Sequence, residues 1–151
     1  MNILVSGASG FFGNNFIRYA SKKGHYIYAI SRYKQKKIRN VKWITGPLDK
    51  DHEEFKKCEV LIHFASAGVA NRNLPYKKAL ETNVIKSSKF LINAASAGCL
   101  KWIIIGSSSE YGETLKLGKP ININSPRLPV CNYGKTKSEF SDLVKILSKN
   151  L

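Results

Sequence analysis

The stretch Asn2-Ile-Leu-Val-Ser-Gly7-Ala-Ser-Gly10-Phe-Phe-Gly13 decides the fold. Its first five residues form a short apolar run with the composition of a strand. From residue 11 to residue 23, Phe12, Phe16, Ile17, Tyr19 and Ala20 recur near helical spacing until Gly24 stops the pattern. The glycines fall on the connection between strand and helix. There Gly7 permits a tight reversal, Gly10 lets backbone N–H groups approach a bound anion, and Gly13 lets helix and sheet pack closely. A dinucleotide pyrophosphate rests at such a helix N-terminus, where unpaired N–H groups and the helix dipole favour negative charge. The spacing is G-x-x-G-x-x-G and not G-x-G-x-x-G, so the glycines alone also suit a plain turn. The strand–turn–helix context is what points to a nucleotide.

Outward from this turn, strand-like and helix-like segments alternate. Residues 26–30 and 41–44 read as the second and third strands, with Gly46-Pro47 as a breaker after the third. Residues 49–57 read as a short charged helix. Residues 60–65 form a near-continuous apolar run, as in a parallel strand buried on both faces. The longest helical pattern covers 76–97, with Leu80, Val84, Leu91, Ala94 and Ala95 on its apolar face and Gly98 closing it. A fifth strand follows at 102–105, then an extended loop over 113–129 holding Pro120, Pro126 and Pro129. A last helix runs from Tyr133, with Phe140, Leu143, Val144 and Leu147 at helical spacing. This alternation predicts one doubly wound α/β domain, Rossmann-like, with five parallel strands in the order 3-2-1-4-5. A cofactor would cross the carboxyl ends of the strands where the order reverses, between the first and the fourth.

Composition narrows the class. The 151 residues are 43% hydrophobic, enough for one globular core. The longest apolar runs are far too short to span a bilayer, so no membrane partner is read, and no signal peptide is seen at the N-terminus. Cys58, Cys99 and Cys131 are isolated thiols without C-x-x-C spacing or paired histidines. That argues against a disulfide scaffold and a metal site, and for a reducing, cytoplasmic setting. The formal net charge of +15, from 25 Lys+Arg against 10 Asp+Glu, favours anionic partners. The charge is scattered apart from the run at 34–39, which suits solvated surface lysines. No nucleic-acid-binding module is recognisable, which argues against nucleic acid as the partner.

The end of the second strand bears on the choice of cofactor. A carboxylate there would hold the ribose 2′-hydroxyl of NAD, whereas an arginine accommodates the 2′-phosphate of NADP. The chain reads Ile30-Ser31-Arg32-Tyr33-Lys34, with no carboxylate, and the guanidinium of Arg32 can grip a phosphate with two N–H groups. This favours NADP over NAD, unless Arg32 is one more surface cation.

Further motifs follow in a fixed order: residues 7–13, His63-Phe-Ala-Ser66, Asn83 within Glu-Thr-Asn-Val, Gly106-Ser-Ser-Ser-Glu-Tyr-Gly112, and Tyr133-Gly-Lys-Thr-Lys137. Together they resemble the N-terminal half of the extended short-chain dehydrogenase/reductases, the NAD(P)-dependent epimerase/dehydratase family, over essentially the whole chain. The resemblance implies a nucleotide-sugar substrate, with Tyr133 as general acid/base on a sugar hydroxyl or keto oxygen. It makes Lys137 the electrostatic support of Tyr133 and a ligand of the nicotinamide ribose, and Ser107 a hydroxyl that bonds the same oxygen. Ser108 is the neighbour that could be confused with Ser107, and Ser107–109 could instead satisfy backbone groups at a strand end. The cofactor set it implies is Gly7, Ser9, Gly10, Phe11, Phe12, Gly13, Arg32, Leu48, Phe64, Ala65, Ser66, Asn83, Tyr133 and Lys137. His63 reads as a core histidine, and Asn83 as facing cofactor-side backbone or nothing in particular. Glu110 and Tyr111 read as loop packing, with Glu110 also able to approach substrate.

The chain departs from that family in three respects. Gly46-Pro47-Leu48 stands where Gly-Asp-hydrophobic is usual, so the aspartate contact to adenine is lost and only Leu48 carries over. Ser108 and Ser109 stand where the 4,6-dehydratases place acidic residues, which disfavours elimination and leaves epimerase or 4-keto-sugar reductase chemistry. Members of the family are also longer and carry a C-terminal substrate-binding part. The expectation is therefore a chain truncated before that lobe, either associating with itself or completed by a separately encoded second half. The alternative is a catalytically incomplete protein that only binds NAD(P).

Overall fold

Five short segments rich in β-branched and aromatic residues pair into one parallel sheet: β1 (Asn2–Ser6), β2 (Tyr26–Ser31), β3 (Val41–Thr45), β4 (Val60–His63) and β5 (Lys101–Ile104). In this computed structural model, which describes residues 1–72 and 74–151, the strand order is β3-β2-β1-β4-β5, the order the alternation predicts. Ile3 and Val5 of β1 stand opposite Ile27 and Ala29 of β2 on one side and Val60 and Ile62 of β4 on the other. Because β2 and β4 flank β1, the crossovers diverge there, and Ser6 and His63 lie side by side at the carboxyl ends. The sheet belongs to the first of two compact units, built from Met1–Ala65, Lys89–Ile105 and Leu151.

The core of this unit follows from the pleat. Successive side chains point to opposite faces. Ile3 and Val5 therefore join Ile27, Ala29 and Ile62 under helix α1 (Phe11–Lys22), which contributes Ile17 and Ala20. Leu4 and Leu61 are fully buried as well. An aromatic cluster adds to the core: Phe55 meets Phe90 edge to face at 5.7 Å, and the His63 ring lies 5.8 Å from Phe90. Full burial of one such side chain contributes on the order of 1.5–3 kcal/mol.

The second unit comprises Ser66–Ser88 and Gly106–Asn150. It holds α2 (Tyr76–Leu80), a π-helical turn (Glu81–Lys86), two 3-10 turns (Ser108–Glu110 and Glu113–Leu117) and the long helix α4 (Asn132–Asn150). Ala79, Asn83, Thr136 and Phe140 form its buried centre.

Two of the predicted helices differ from expectation. The single helix predicted over 76–97 is α2, the π turn and α3 (Ser87–Ser96) in succession. Apolar periodicity does not register the one extra residue per turn that a π turn inserts. The charged helix predicted over 49–57 is only a 3-10 turn, Glu53–Lys57, held by the fully buried Phe55. Among the described residues, no helix is long and apolar enough to cross a membrane.

Burial separates the cysteines chemically. Removal from water pushes the Cys58 thiol up to about 12 and the Cys99 thiol up to about 11, so neither supplies thiolate at neutral pH. Cys131 is half-buried. In the folded protein, a thiol titration with a disulfide reagent at pH 8 should therefore show one rapidly reacting group. The other two should react only on unfolding, and Cys131→Ser should remove the rapid phase.

Candidate active site

In the first unit the site is built on the turn after β1. Gly7 has φ +65°, in the left-handed region, and its missing Cβ would strike the backbone of Phe64 and Ala65. A Cβ on Gly13 would strike the carbonyl oxygen of Gly7, so the first turn of α1 lies directly on the loop that precedes it. Ser6 Oγ shares a 2.6 Å hydrogen bond with His63 Nδ1 and accepts from the Ala65 N–H at 3.4 Å, which ties β1 to the segment after β4. His63 is 1% exposed and serves as a core residue.

Ser9, Gly10, Phe11 and Phe12 stand exposed around the turn, with the two phenylalanine rings edge to face at 5.3 Å. Helix α1 has no acidic residue in its first turn and no side-chain cap. Its N-terminal amides thus carry a positive potential that no acidic side chain of that turn offsets. A backbone cradle too tight for any Cβ, at an uncapped helix start, fits a pyrophosphate. Phe64 packs on Phe16 at 5.6 Å; Arg32 is exposed just past β2 with its guanidinium over the Tyr33 ring at 5.8 Å; Leu48 is half-buried beyond β3.

In the second unit α4 carries Tyr133 and Lys137 on one face, a turn apart. Tyr133 is 9% exposed and packs against Gly68, and its N–H donates to the Arg72 carbonyl at 3.2 Å. Asn83 is buried in the π turn and saturated. Its Oδ1 accepts from the Ala67 N–H at 2.7 Å and the Ser66 hydroxyl at 3.2 Å. Its Nδ2 donates to the Ala67 carbonyl at 2.9 Å and to Thr136 Oγ1 at 3.0 Å. Every polar position of the amide is therefore taken within the protein, and Asn83 acts on this region through the loop and helix it joins.

Ser107 begins the 3-10 turn Ser108–Glu110. Its Oγ accepts from the Ser109 N–H at 3.2 Å, and its own N–H donates to Glu110 Oε1 at 2.7 Å, a reciprocal cap. The same turn touches α4 at Gly134, where a Cβ would strike the Ser109 carbonyl. Ser107, Glu110, Arg127, Ser141 and Lys145 line a cavity of about 380 Å³.

Lys137 is 4% exposed. Burial holds its ammonium below the ordinary lysine range, and the Glu110 carboxylate opposes that shift. Nζ lies 5.8 Å from the centre of the Phe140 ring. Of the predicted residues, Gly7, Gly13, Phe64 and Ala65 are thus brought together in the first unit. Ser66 and Asn83 are joined in the second, where Ser107 and the Tyr133–Lys137 helix share the contacts of one 3-10 turn.

The profile of the NAD dependent epimerase/dehydratase family matches residues 3–150. The chain belongs to that family. It is 26% identical over 147 residues to a dTDP-6-deoxy-L-talose 4-dehydrogenase (NAD(+)) of Aggregatibacter actinomycetemcomitans, covering 91% of this chain and 52% of that enzyme. The UDP-Glc/GlcNAc 4-epimerase of Campylobacter jejuni superposes with a TM-score of 0.83 at 22% identity, over 99% of this chain and 49% of the other. WbmG of Bordetella bronchiseptica in complex with NAD superposes at 0.79 with 23% identity, over 97% and 49%. The chain spans about half the length of the relatives it matches.

Within this family member the polar residues that support the site were the least visible in sequence. Thr136, Arg127 and Ser141 bind other groups of the second unit, and only their place within or near Tyr-x-x-x-Lys could have pointed to them. Ser6 carries no signal beyond ending a strand.

The burial of Lys137 sets a pH dependence. Its folded pKa lies below the unfolded 10.5, so the unfolded chain binds more protons between those two values. The cost of burying the ammonium is then fully present below the folded pKa and is relieved as pH rises toward 10.5. Denaturant unfolding from pH 7 to 10.5 should show wild type gaining stability relative to Lys137→Met as pH rises. A difference independent of pH would mean that the amine is hydrated.

Proposed function

We propose that the chain provides the cofactor-binding and acid/base residues of an NAD(P)-dependent enzyme that modifies a nucleotide-activated sugar, by 4-keto-sugar reduction or epimerisation. The observation that carries this reading is the pairing of Tyr133 and Lys137 on one face of α4 with Ser107 on the turn that α4 contacts, in a chain of this family. The bound nicotinamide supplies the exchange of hydride with a sugar carbon.

The chain's own residues do the rest. The Gly7–Gly13 backbone, with Ser9, Phe11 and Phe12, receives the pyrophosphate, while Phe64, Ala65 and Ser66 line its path and Leu48 meets the adenine. Tyr133 takes the proton from a sugar hydroxyl, or returns it to a keto oxygen. Lys137 stabilises the phenolate so formed and binds the nicotinamide ribose. Ser107 donates a hydrogen bond to the same sugar oxygen, where charge develops. Arg32 selects NADP by gripping its 2′-phosphate, and Ser108 and Ser109 supply no acid for elimination.

The half-length match favours a second reading, in which the 151 residues bind NAD(P) without turnover until a further lobe holds the sugar. Such a lobe has the β5 edge of the sheet to join, where Ile103 and Ile105 are exposed. The reducing cytoplasm is the compartment that suits three unpaired thiols.

Fluorescence titration with NADPH and NADH should show binding of both, with NADPH tighter. Arg32→Ala should weaken NADPH by about ten- to hundredfold and leave NADH unchanged, as expected for loss of a charge-assisted pair. Equal affinities in the wild type would remove Arg32 from cofactor choice. With a nucleotide-linked 4-keto-hexose as substrate, Tyr133→Phe should lower kcat by about 10²- to 10⁴-fold while Kd for the cofactor holds. Binding without any turnover by wild type would leave the second reading standing in place of the first.

A further inference from the structure

Glu110 is a buried carboxylate that this acid/base scheme leaves unused. It is 5% exposed, and both oxygens are engaged. Oε1 accepts the Ser107 N–H at 2.7 Å, and Oε2 accepts the Ser141 hydroxyl at 2.7 Å. The Arg127 guanidinium stands 3.6 Å from Oε2, donates to the Ser138 carbonyl at 3.0 Å and pairs with Asp142.

Burying a carboxylate costs several kcal/mol unless partners compensate, and capping a three-residue turn does not require one. The partners divide into two sets. One is the backbone of Ser107; the other is α4, reached directly at Ser141 and through Arg127 at Ser138 and Asp142. Ser141 lies one helical turn beyond Lys137 and two beyond Tyr133, so Glu110 grips the face of α4 that carries both. Glu110 is also a charged group whose field favours the Lys137 ammonium, while Phe140 supplies a ring from Lys137's own helix.

We infer that Glu110 is a positioning residue, whose carboxylate fastens the Ser107 backbone to the Tyr133–Lys137 face of α4 and, bonded at Ser141, sets its negative charge one helical turn from Lys137. The inference rests on the reading of Ser107, Tyr133 and Lys137 given above. It adds a group that touches no substrate and yet sets where the serine stands relative to the phenol and the amine.

The test uses the whole chain, isotopically labelled, with the Lys137 side-chain signal assigned by comparison with Lys137→Arg. Glu110→Gln keeps the volume and an oxygen for Ser107 but removes the charge; Glu110→Ala removes both. The Gln variant should keep the Ser107 amide protected from hydrogen exchange while moving the Lys137 titration midpoint to lower pH, which a merely structural hydrogen bond would not do. The Ala variant should speed Ser107 exchange by about tenfold or more. A Gln variant whose Lys137 midpoint stays at the wild-type value overturns the inference, and so does an Ala variant with unchanged Ser107 exchange. If the Ala variant does not fold, the Gln variant still decides. A parallel NADH titration separates the two levels. Wild type that binds no NADH overturns the underlying reading, whereas wild type that binds it, with neither signal moving, overturns Glu110 alone.

Discussion

A primary amide offers two donors and two acceptor positions, and each one left unmet in a protein interior costs about 1–3 kcal/mol. Asn83 meets all four at once, on the Ser66–Ala67 segment and on Thr136. The second unit is organised by that requirement. Thr136 lies between Tyr133 and Lys137, and its hydroxyl also bonds the Asn132 and Tyr133 carbonyls at 3.1 and 3.0 Å. The amide therefore sets the rotation of α4 about its axis, and with it the direction in which the Tyr133–Lys137 face is presented. The π turn that carries Asn83 has a counterpart in the Ser87 hydroxyl, which returns to the Thr82 carbonyl at 2.8 Å. Such wide turns are tolerated where a side chain gains a set of contacts that regular helix would deny it.

Against this neutral clasp, the second unit holds charges that are expensive to bury. Lys137 and Glu110 are each 5% exposed or less. An apolar pair of similar volume would pack at no desolvation cost, so these charged groups are no source of net stability. Arg127 extends the network to Asp142, while burial disfavours the Lys137 ammonium and the Glu110 carboxylate favours it.

The first unit solves a different problem, bringing backbone close to backbone at the start of α1 without inserting side chains. Gly7 and Gly13 lack the Cβ atoms that would strike the Phe64–Ala65 backbone and the Gly7 carbonyl, and α1 begins without a cap or an acidic residue. The surplus of basic residues over the whole chain adds a long-range attraction for anions, although no cluster of them is needed at the turn itself.

Much of this was legible in the chain. The strand order followed from alternating periodicities and from the right-handed crossovers that parallel strands require, and the glycine turn was visible because only glycine meets its steric demands. Both are local or nearly local properties. The interruption of 76–97 by a π turn was hidden, because apolar spacing does not record a single inserted residue. Likewise Asn83, Glu110, Arg127, Thr136 and Ser141 gave no sign of their partners, which lie up to 53 residues away for Asn83 and 31 for Glu110. Sequence by itself determined the layer architecture and the residue types available for chemistry, since these depend on side-chain period and backbone sterics. Tertiary structure alone decided which polar groups share a buried environment, because desolvation and hydrogen bonding depend on what the folded chain brings within 3 Å and not on spacing along it.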